Sequence, residues 1–256
     1  MMSSQFRNEL TASAAEQLSR DYCCGAADFL GWENKVTLAR IETGRRVFRE
    51  QPDFFKAATM GRCTVISAAS EMLEFSSELA AKYSGAEIFD EKRKWLINRK
   101  LADFNKAIAF NSIFYLPATP YKYAAKDGFR LRFYEENEIA SELYSVSGFS
   151  NALMYRSDGA RRDVLAVCAF NGRRIVGMAG ASSDSPRFWQ IGIDVIPEYR
   201  GMGIGSELVA ALTQAVFMHG AVPYYGTWSG NIASQNTARK AGYYPVWSEF
   251  NAFDIE

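Results

Sequence analysis

The 256-residue sequence predicts a mixed α/β (α+β) protein in two parts, residues 1–120 and residues 121–256. Three features carry that expectation. Residues 163–180 read as two strands around Asn171-Gly172, a strong hairpin signal because both central positions of a type I′ turn need positive φ. Residues 188–220 read as a strand, a glycine-rich turn and a helix in succession. Between the two parts, Leu116-Pro117-Ala118-Thr119-Pro120 cannot continue a helix and reads as a linker. The length suits two ordinary domains of roughly 100–200 residues each.

In the first part, residues 36–41 and 63–67 are short β-branched runs bounded by glycine, which predicts strands. Between residues 91 and 110, Ile97, Leu101, Phe104 and Ile108 recur at spacings of four and three, as one face of a helix does. In the second part a strand is expected over residues 129–134, followed by a polar and aromatic stretch without a clear period. The hairpin strands come next, with Val164, Ala166, Cys168 and Phe170 alternating as core positions. A third strand over residues 188–196 stops at Pro197. The helix beyond it carries Leu208, Leu212, Ala215 and Val216 on one face and ends at Gly220. No internal repeat or low-complexity tract interrupts this order.

Composition narrows the function. Hydrophobic residues at 48% and charged residues at 23% suit a folded core. Lys plus Arg equals Asp plus Glu at 29 each, so no bulk field exists to gather nucleic acid or an anionic membrane, and neither partner is expected. Any anionic ligand must be held locally. The start of the chain has no basic segment followed by an apolar one, and no run approaches ~18 apolar residues, so a cytoplasmic protein is expected. Four cysteines, Cys23, Cys24, Cys63 and Cys168, form no C-x-x-C, and His219 is the only histidine, so neither a metal site nor a disulfide framework is expected.

The chemistry concentrates in Arg200-Gly201-Met202-Gly203-Ile204-Gly205-Ser206. Three alternating glycines ahead of a helix let successive main-chain N–H groups approach one anion without Cβ obstruction, and the helix dipole adds positive potential there. A pyrophosphate fits such a place. A dinucleotide-binding oxidoreductase also uses glycines at a helix start, but it needs G-x-G-x-x-G and several βα units beyond. Here Ser206 stands at the third glycine position and about fifty residues remain.

This segment resembles the GNAT superfamily of acyl-CoA-dependent N-acyltransferases. That family's signature is a strand, then Arg or Gln, two residues, Gly, one residue, and Gly or Ala. The strand end Asp194-Val195-Ile196-Pro197-Glu198-Tyr199 and a later set, Asn231, Ser234, Lys240, Gly242 and Tyr243, extend the likeness. It is strong over residues 188–247, weaker back to 129 and absent from the first 120. The resemblance implies a GNAT-type twisted mixed sheet, acetyl-CoA as cosubstrate and an amine acceptor attacked directly, with the first part covering or completing the acceptor site. It places the main chain of Ile193 and Val195 along the pantetheine arm. It gives the pyrophosphate to the turn, with Arg200, Gly201, Met202, Gly203, Ile204, Gly205 and Ser206 as its cofactor-binding residues. The strand bearing Val195 is expected to splay from the next, near residues 222–227, so that the thioester enters the gap and the Val195 amide polarises its carbonyl. Asn231 and Ser234 are expected beside the pantetheine.

Asp194 and Ser234 are the candidate catalytic residues, Asp194 for attracting or deprotonating the amine directly or through water. Each has a plainer reading. Asp194 also fits a sheet-edge carboxylate, Asn231 an N-cap, Arg200 a partner for a carboxylate, His219 a helix C-terminus and Cys168 the core. Glu249 is a weaker candidate of the same kind as Asp194. One departure is notable: many members hold a tyrosine seven residues after the Asn of the later motif, where it protonates the leaving thiolate, and this chain has Ala238. A non-catalytic acyl-CoA sensor is therefore the alternative function. The acceptor and the oligomeric state, a homodimer included, are not legible in the residues.

Overall fold

The computed structural model describes residues 2–120 and 128–255. The first part contains α1 (Met2–Asp21), α2 (Ala27–Leu30), β1 (Lys35–Leu38), β2 (Phe55–Thr59), β3 (Thr64–Ala68), α3 (Leu73–Lys82), α4 (Gly85–Ile88), α5 (Glu91–Leu101), β4 (Lys106–Ile108) and β5 (Ser112–Pro117). Then follow β6 (Arg130–Glu135), α6 (Glu136–Glu138), β7 (Asp163–Asn171), β8 (Arg174–Ser183) and β9 (Phe188–Val195). The chain closes with α7 (Ile204–Met218), β10 (Val222–Trp228), α8 (Ile232–Lys240) and β11 (Tyr243–Asp254).

Among the described residues the eleven strands join in one mixed sheet. Its order is β1-β3-β2-β11-β5-β10-β9-β8-β7-β6, with β4 beside β11. Pairing is antiparallel except between β1 and β3 and between β9 and β10. The sheet runs without a break across residue 120, because β5 is inserted between β10 and β11. Leu116 and Pro117, read as linker, instead end β5 and pair with Tyr244 and Tyr243. Proline at the last position of a strand forfeits little of the ladder, which is why the helix-stop signal did not mean a loop. The expected boundary at residues 120–121 adjoins residues 121–127, which lie outside the described residues.

Two other expectations are corrected. The helix expected to run through Ile108 ends with α5 at Leu101, and Ile108 lies in β4. Asn105 breaks the period with φ 55°, a left-handed conformation that asparagine tolerates. The hairpin turn sits one residue later than expected. Asn171 pairs with Arg174, so Gly172, with φ 60°, and Arg173 are its central residues.

Helices α7 and α8 cover one face through Leu208, Val209, Leu212, Ala238 and Ala241. On the other face, α1 buries Leu10, Ala14, Ala15 and Leu18 against Phe114, Tyr224 and Trp247. Helices α3 to α5 pack the β2–β3 end of the sheet, and residues 139–153 pack against β7 and β8. No helix among the described residues is long and apolar enough to cross a membrane.

Candidate acyl-transfer site

Strands β9 and β10 run side by side only in their first halves. Their parallel pairing covers Phe188 with Val222 through Ile191 with Tyr225 and then stops. From there β10 continues beside β5, pairing Gly226 with Phe114. Strand β9 continues beside β8, pairing Gly192 with Gly180 and Val195 with Gly177. The sheet therefore opens between residues 192–195 and residues 226–228. At the end of β9, the Ile196 amide donates to the Val176 carbonyl at 3.1 Å. Main-chain groups alternate along a strand, so Ile193 and Val195 turn theirs away from β8 and into the gap. The Val195 carbonyl accepts a bond of 3.0 Å from Arg200 Nε, so the arginine braces the strand end.

The glycine turn follows. Gly201 and Gly203 have φ of 81° and 86°, and a Cβ at either would meet no atom within 4 Å. These glycines thus serve backbone conformation and approach from outside rather than packing. Helix α7 begins after Gly203 without a side-chain cap on its first amides, and Ser206 Oγ turns back to donate to the Gly203 carbonyl at 2.9 Å. The N-terminus of this 15-residue helix therefore presents free donors and the positive end of its dipole. Ile204 points its side chain into the core. A Cβ at Gly205 would lie 3.5 to 3.7 Å from the side chains of Thr237, Val195 and Ile193, an ordinary contact distance.

Across the gap, Asn231 caps α8 by accepting from the Ser234 amide at 3.0 Å. Ser234 Oγ and the Tyr225 hydroxyl are 2.8 Å apart. Tyr225 is the last position of β10 paired with β9, at the apex of the gap. Burial pushes its phenol up, against a smaller opposing effect of the Ser234 bond. Ala238, on the buried face of α8, lies in the core shared with α7. Sequence reasoning missed Tyr225, whose signal is its register beside Ile191, and register is invisible until the strands pair.

Asp194 faces the opposite side of the sheet. Its carboxylate accepts from the Asn151 amide and the Asn151 Nδ2, each at 2.7 Å, and from the Ala152 amide at 3.1 Å. The paired Gly180 and Gly192 make room for this contact. A Cβ at Gly180 would lie 2.1 Å from the Ala152 carbonyl, and one at Gly192 would lie 1.9 Å from that of Asn151. The structure thus separates the two catalytic candidates: Ser234 meets Tyr225 at the gap, while the oxygens of Asp194 hold residues 151–152 on the bare sheet.

A cavity of about 1170 Å³ joins these parts. Small-ligand pockets usually hold ~300–1,000 Å³, so there is room for two substrates at once. Every expected site residue lines it except Met202, whose side chain is 62% exposed. Its far wall comes from the first part, including Tyr22, Arg46, Phe48 and Lys56, with Glu249 of β11. Sequence reasoning gave these wall residues no role apart from Glu249.

Two residues with plainer readings lie elsewhere. Cys168 is wholly buried, and its thiol is pushed up to about 12 by that burial. His219 Nδ1 lies 2.9 Å from the Ala215 carbonyl at the end of α7. Among the described residues no group of three His, Cys, Asp or Glu side chains is placed to hold a metal ion.

Residues 130–243 match the family model for the Acetyltransferase (GNAT) family. No curated protein matches the chain. Among solved structures, a proposed GNAT-family acetyltransferase from Novosphingobium aromaticivorans is 15% identical, with a TM-score of 0.44 and coverage of 58% of this chain and 66% of its own. A GCN5-related N-acetyltransferase-like protein from Streptococcus suis is 17% identical, with a TM-score of 0.45 and coverage of 64% and 69%. A GCN5-related N-acetyltransferase from Kribbella flavida is also 17% identical, with a TM-score of 0.45 and coverage of 61% and 62%. The chain spans less than two thirds of the length of the first and third of these proteins.

Proposed function

Because residues 130–243 belong to the GNAT acetyltransferase family, we propose that this protein transfers an acetyl or short acyl group from acyl-CoA to a primary amine by direct attack. The observation that carries this reading is the gap between β9 and β10, with the main chain of Ile193 and Val195 turned away from β8 on one side and an uncapped helix N-terminus at its end. The fit to acetyl-CoA is chemical. Pyrophosphate needs amide donors without side chains in the way, which Gly201, Gly203, Gly205 and Ser206 supply, and pantetheine needs a strand edge, which Ile193 and Val195 supply.

Acetyl-CoA brings a thioester, and the acceptor brings an uncharged amine. The amine nitrogen forms a bond to the carbonyl carbon, the carbon–sulfur bond breaks, the amine proton leaves to solvent and the thiolate takes a proton. The Val195 amide is assigned to the developing oxyanion. The Tyr225 hydroxyl, poised by Ser234, is assigned as the proton donor that position 238 does not provide. A phenol whose burial keeps it neutral is suited to donation. Asp194 is assigned a positioning role, holding residues 151–152 beside the gap. The first part of the chain contributes the far wall, where the acceptor is held.

Incubating the protein with acetyl-CoA and a library of amines, with thiol release and product mass as readouts, tests the proposal. Amide formation that depends on the protein supports it. Acetyl-CoA binding without transfer to any amine would instead make the protein an acyl-CoA sensor.

A further inference from the structure

The far end of the cavity is built around one guanidinium. Arg46 is 3% exposed. Its amide and Nε donate to the two oxygens of Asp21 at 2.7 and 2.5 Å, and its Nη2 donates to Glu249 Oε1. The rings of Phe48, Phe114, Trp247 and Tyr224 surround it at 5.2 to 5.7 Å. Burial alone would push the group down, but Asp21 and Glu249 outweigh it and hold the guanidinium well above its usual value, so it stays charged. Yet Nη1 is buried without a hydrogen-bond partner. A buried charged donor left unpaired is costly, and native structures rarely keep one without reason.

A second group in the same wall has the same property. The Tyr22 hydroxyl is buried and unpartnered, and Lys56 Nζ sits 4.9 Å from the centre of its ring. Both Arg46 and Tyr22 line the cavity. The remaining charges at this end favour an anion. Arg45, Arg46, Arg49, Lys56 and Arg161 line it, against Asp21, Asp53 and Glu249. Asp184, behind the wall, pairs with Arg161 at 3.0 Å, which leaves a surplus of one positive charge.

We infer that this end of the cavity binds a carboxylate of the acceptor, so that the acceptor is an amino acid rather than a simple amine or polyamine. The inference rests on reading the cavity as an acyl-transfer site. Two unpartnered donors in one wall are as many as the two oxygens of one carboxylate can each accept from. A phosphate dianion would bring more oxygens and charge than these two donors satisfy, beside the carboxylates of Asp21 and Glu249. A polyamine would add cations to a wall that already has a surplus. The aromatic side chains of Phe48, Phe114 and Trp228 also line the cavity and suit an apolar skeleton between the two ends.

The test is calorimetric titration of the full chain, preloaded with CoA, with a panel of amino acids. Each is matched by its decarboxylated amine and its amide. Amino acids are expected to bind about tenfold or more tightly than their matched amines, as a charge-assisted hydrogen bond allows. Tyr22→Phe removes one donor without changing ring volume. It is expected to shrink that preference severalfold while leaving binding of CoA and of the matched amine unchanged. Arg46→Lys, where it folds, is expected to abolish the preference. Equal binding of amino acids and matched amines would overturn the inference, as would no binding of either or a preference untouched by Tyr22→Phe. A gain seen with succinyl-CoA over acetyl-CoA and not with acceptors would also overturn it, by placing the carboxylate on the acyl group. Because the readout is binding, a protein that binds amino acids in this way but transfers nothing would refute the proposed reaction and leave the subsite standing.

Discussion

Gly203 separates the conformational demand of the glycine turn from its demand for an anion. Its φ is 86°, and a Cβ added there would meet no protein atom within 4 Å. Gly203→Ala therefore carries only a backbone penalty, about 1–2 kcal/mol for a left-handed non-glycine residue. In a chain of this length that lowers the melting temperature by roughly 2–4 °C per kcal/mol. Gly203→Glu carries the same penalty and adds a negative charge at the turn. At ~5 Å from one phosphate charge and an effective dielectric constant of about 20, the repulsion is about 3 kcal/mol, or about two orders of magnitude in affinity. Thermal melts and calorimetric titration with acetyl-CoA measure both effects. The two variants are expected to melt lower by a similar amount without ligand. The alanine variant should retain most of the stabilisation by acetyl-CoA, and the glutamate variant should lose about a hundredfold in affinity. Equal affinity of the two variants for acetyl-CoA would refute the assignment of the turn to pyrophosphate.

Three further outcomes are expected. Tyr225→Phe should lower turnover by about a hundredfold, within the usual range for general acid catalysis, while acetyl-CoA affinity stays within about twofold. Since burial raises the phenol above its ordinary value, the donor stays protonated from pH 7 to 9. The wild-type rate should therefore climb across that window as more of the amine becomes uncharged, and a pH–rate profile with a fall before pH 9 would contradict the role. Gly192→Ala puts a Cβ 1.9 Å from the Asn151 carbonyl, so residues 151–152 must move away from Asp194. A cost of about 1–3 kcal/mol is expected by denaturant titration, with the KM for the amine rising more than that for acetyl-CoA. Cys168→Ala should keep turnover nearly intact, since the thiol is wholly buried, and a trapped acyl-cysteine would contradict direct attack.

Legibility tracked the range of the interactions involved. The turn at residues 200–206 was readable because its glycines answer a local demand, positive φ at Gly201 and Gly203 ahead of a helix. The periods of β7, β8, β9 and α7 were equally local. Long-range facts were not readable. Strand β5 is inserted between β10 and β11, so the signal at Pro117 meant the last residue of a strand and not a linker. Helix α1 repeats Leu10, Ala14 and Leu18 at spacings of four, a local signal diluted by the polar residues between them. The clasp between Asp194 and residues 151–152 depends on two glycines meeting across strands, Gly180 and Gly192. Arg46 and Tyr22 reach the cavity only because the first part shares the sheet with the second, and no spacing in the sequence reveals that.

The most direct test of acyl transfer at the gap between β9 and β10 is a single-turnover experiment with [14C]acetyl-CoA and an amino-acid panel at pH 8. Products are identified by mass, and the wild type is compared with Gly203→Glu. The expected result is an N-acetylated amino acid and one equivalent of free CoA thiol with the wild type, and neither with the variant. Tight binding of acetyl-CoA by the wild type without any acetylated product, or the same yield from the variant, would contradict it.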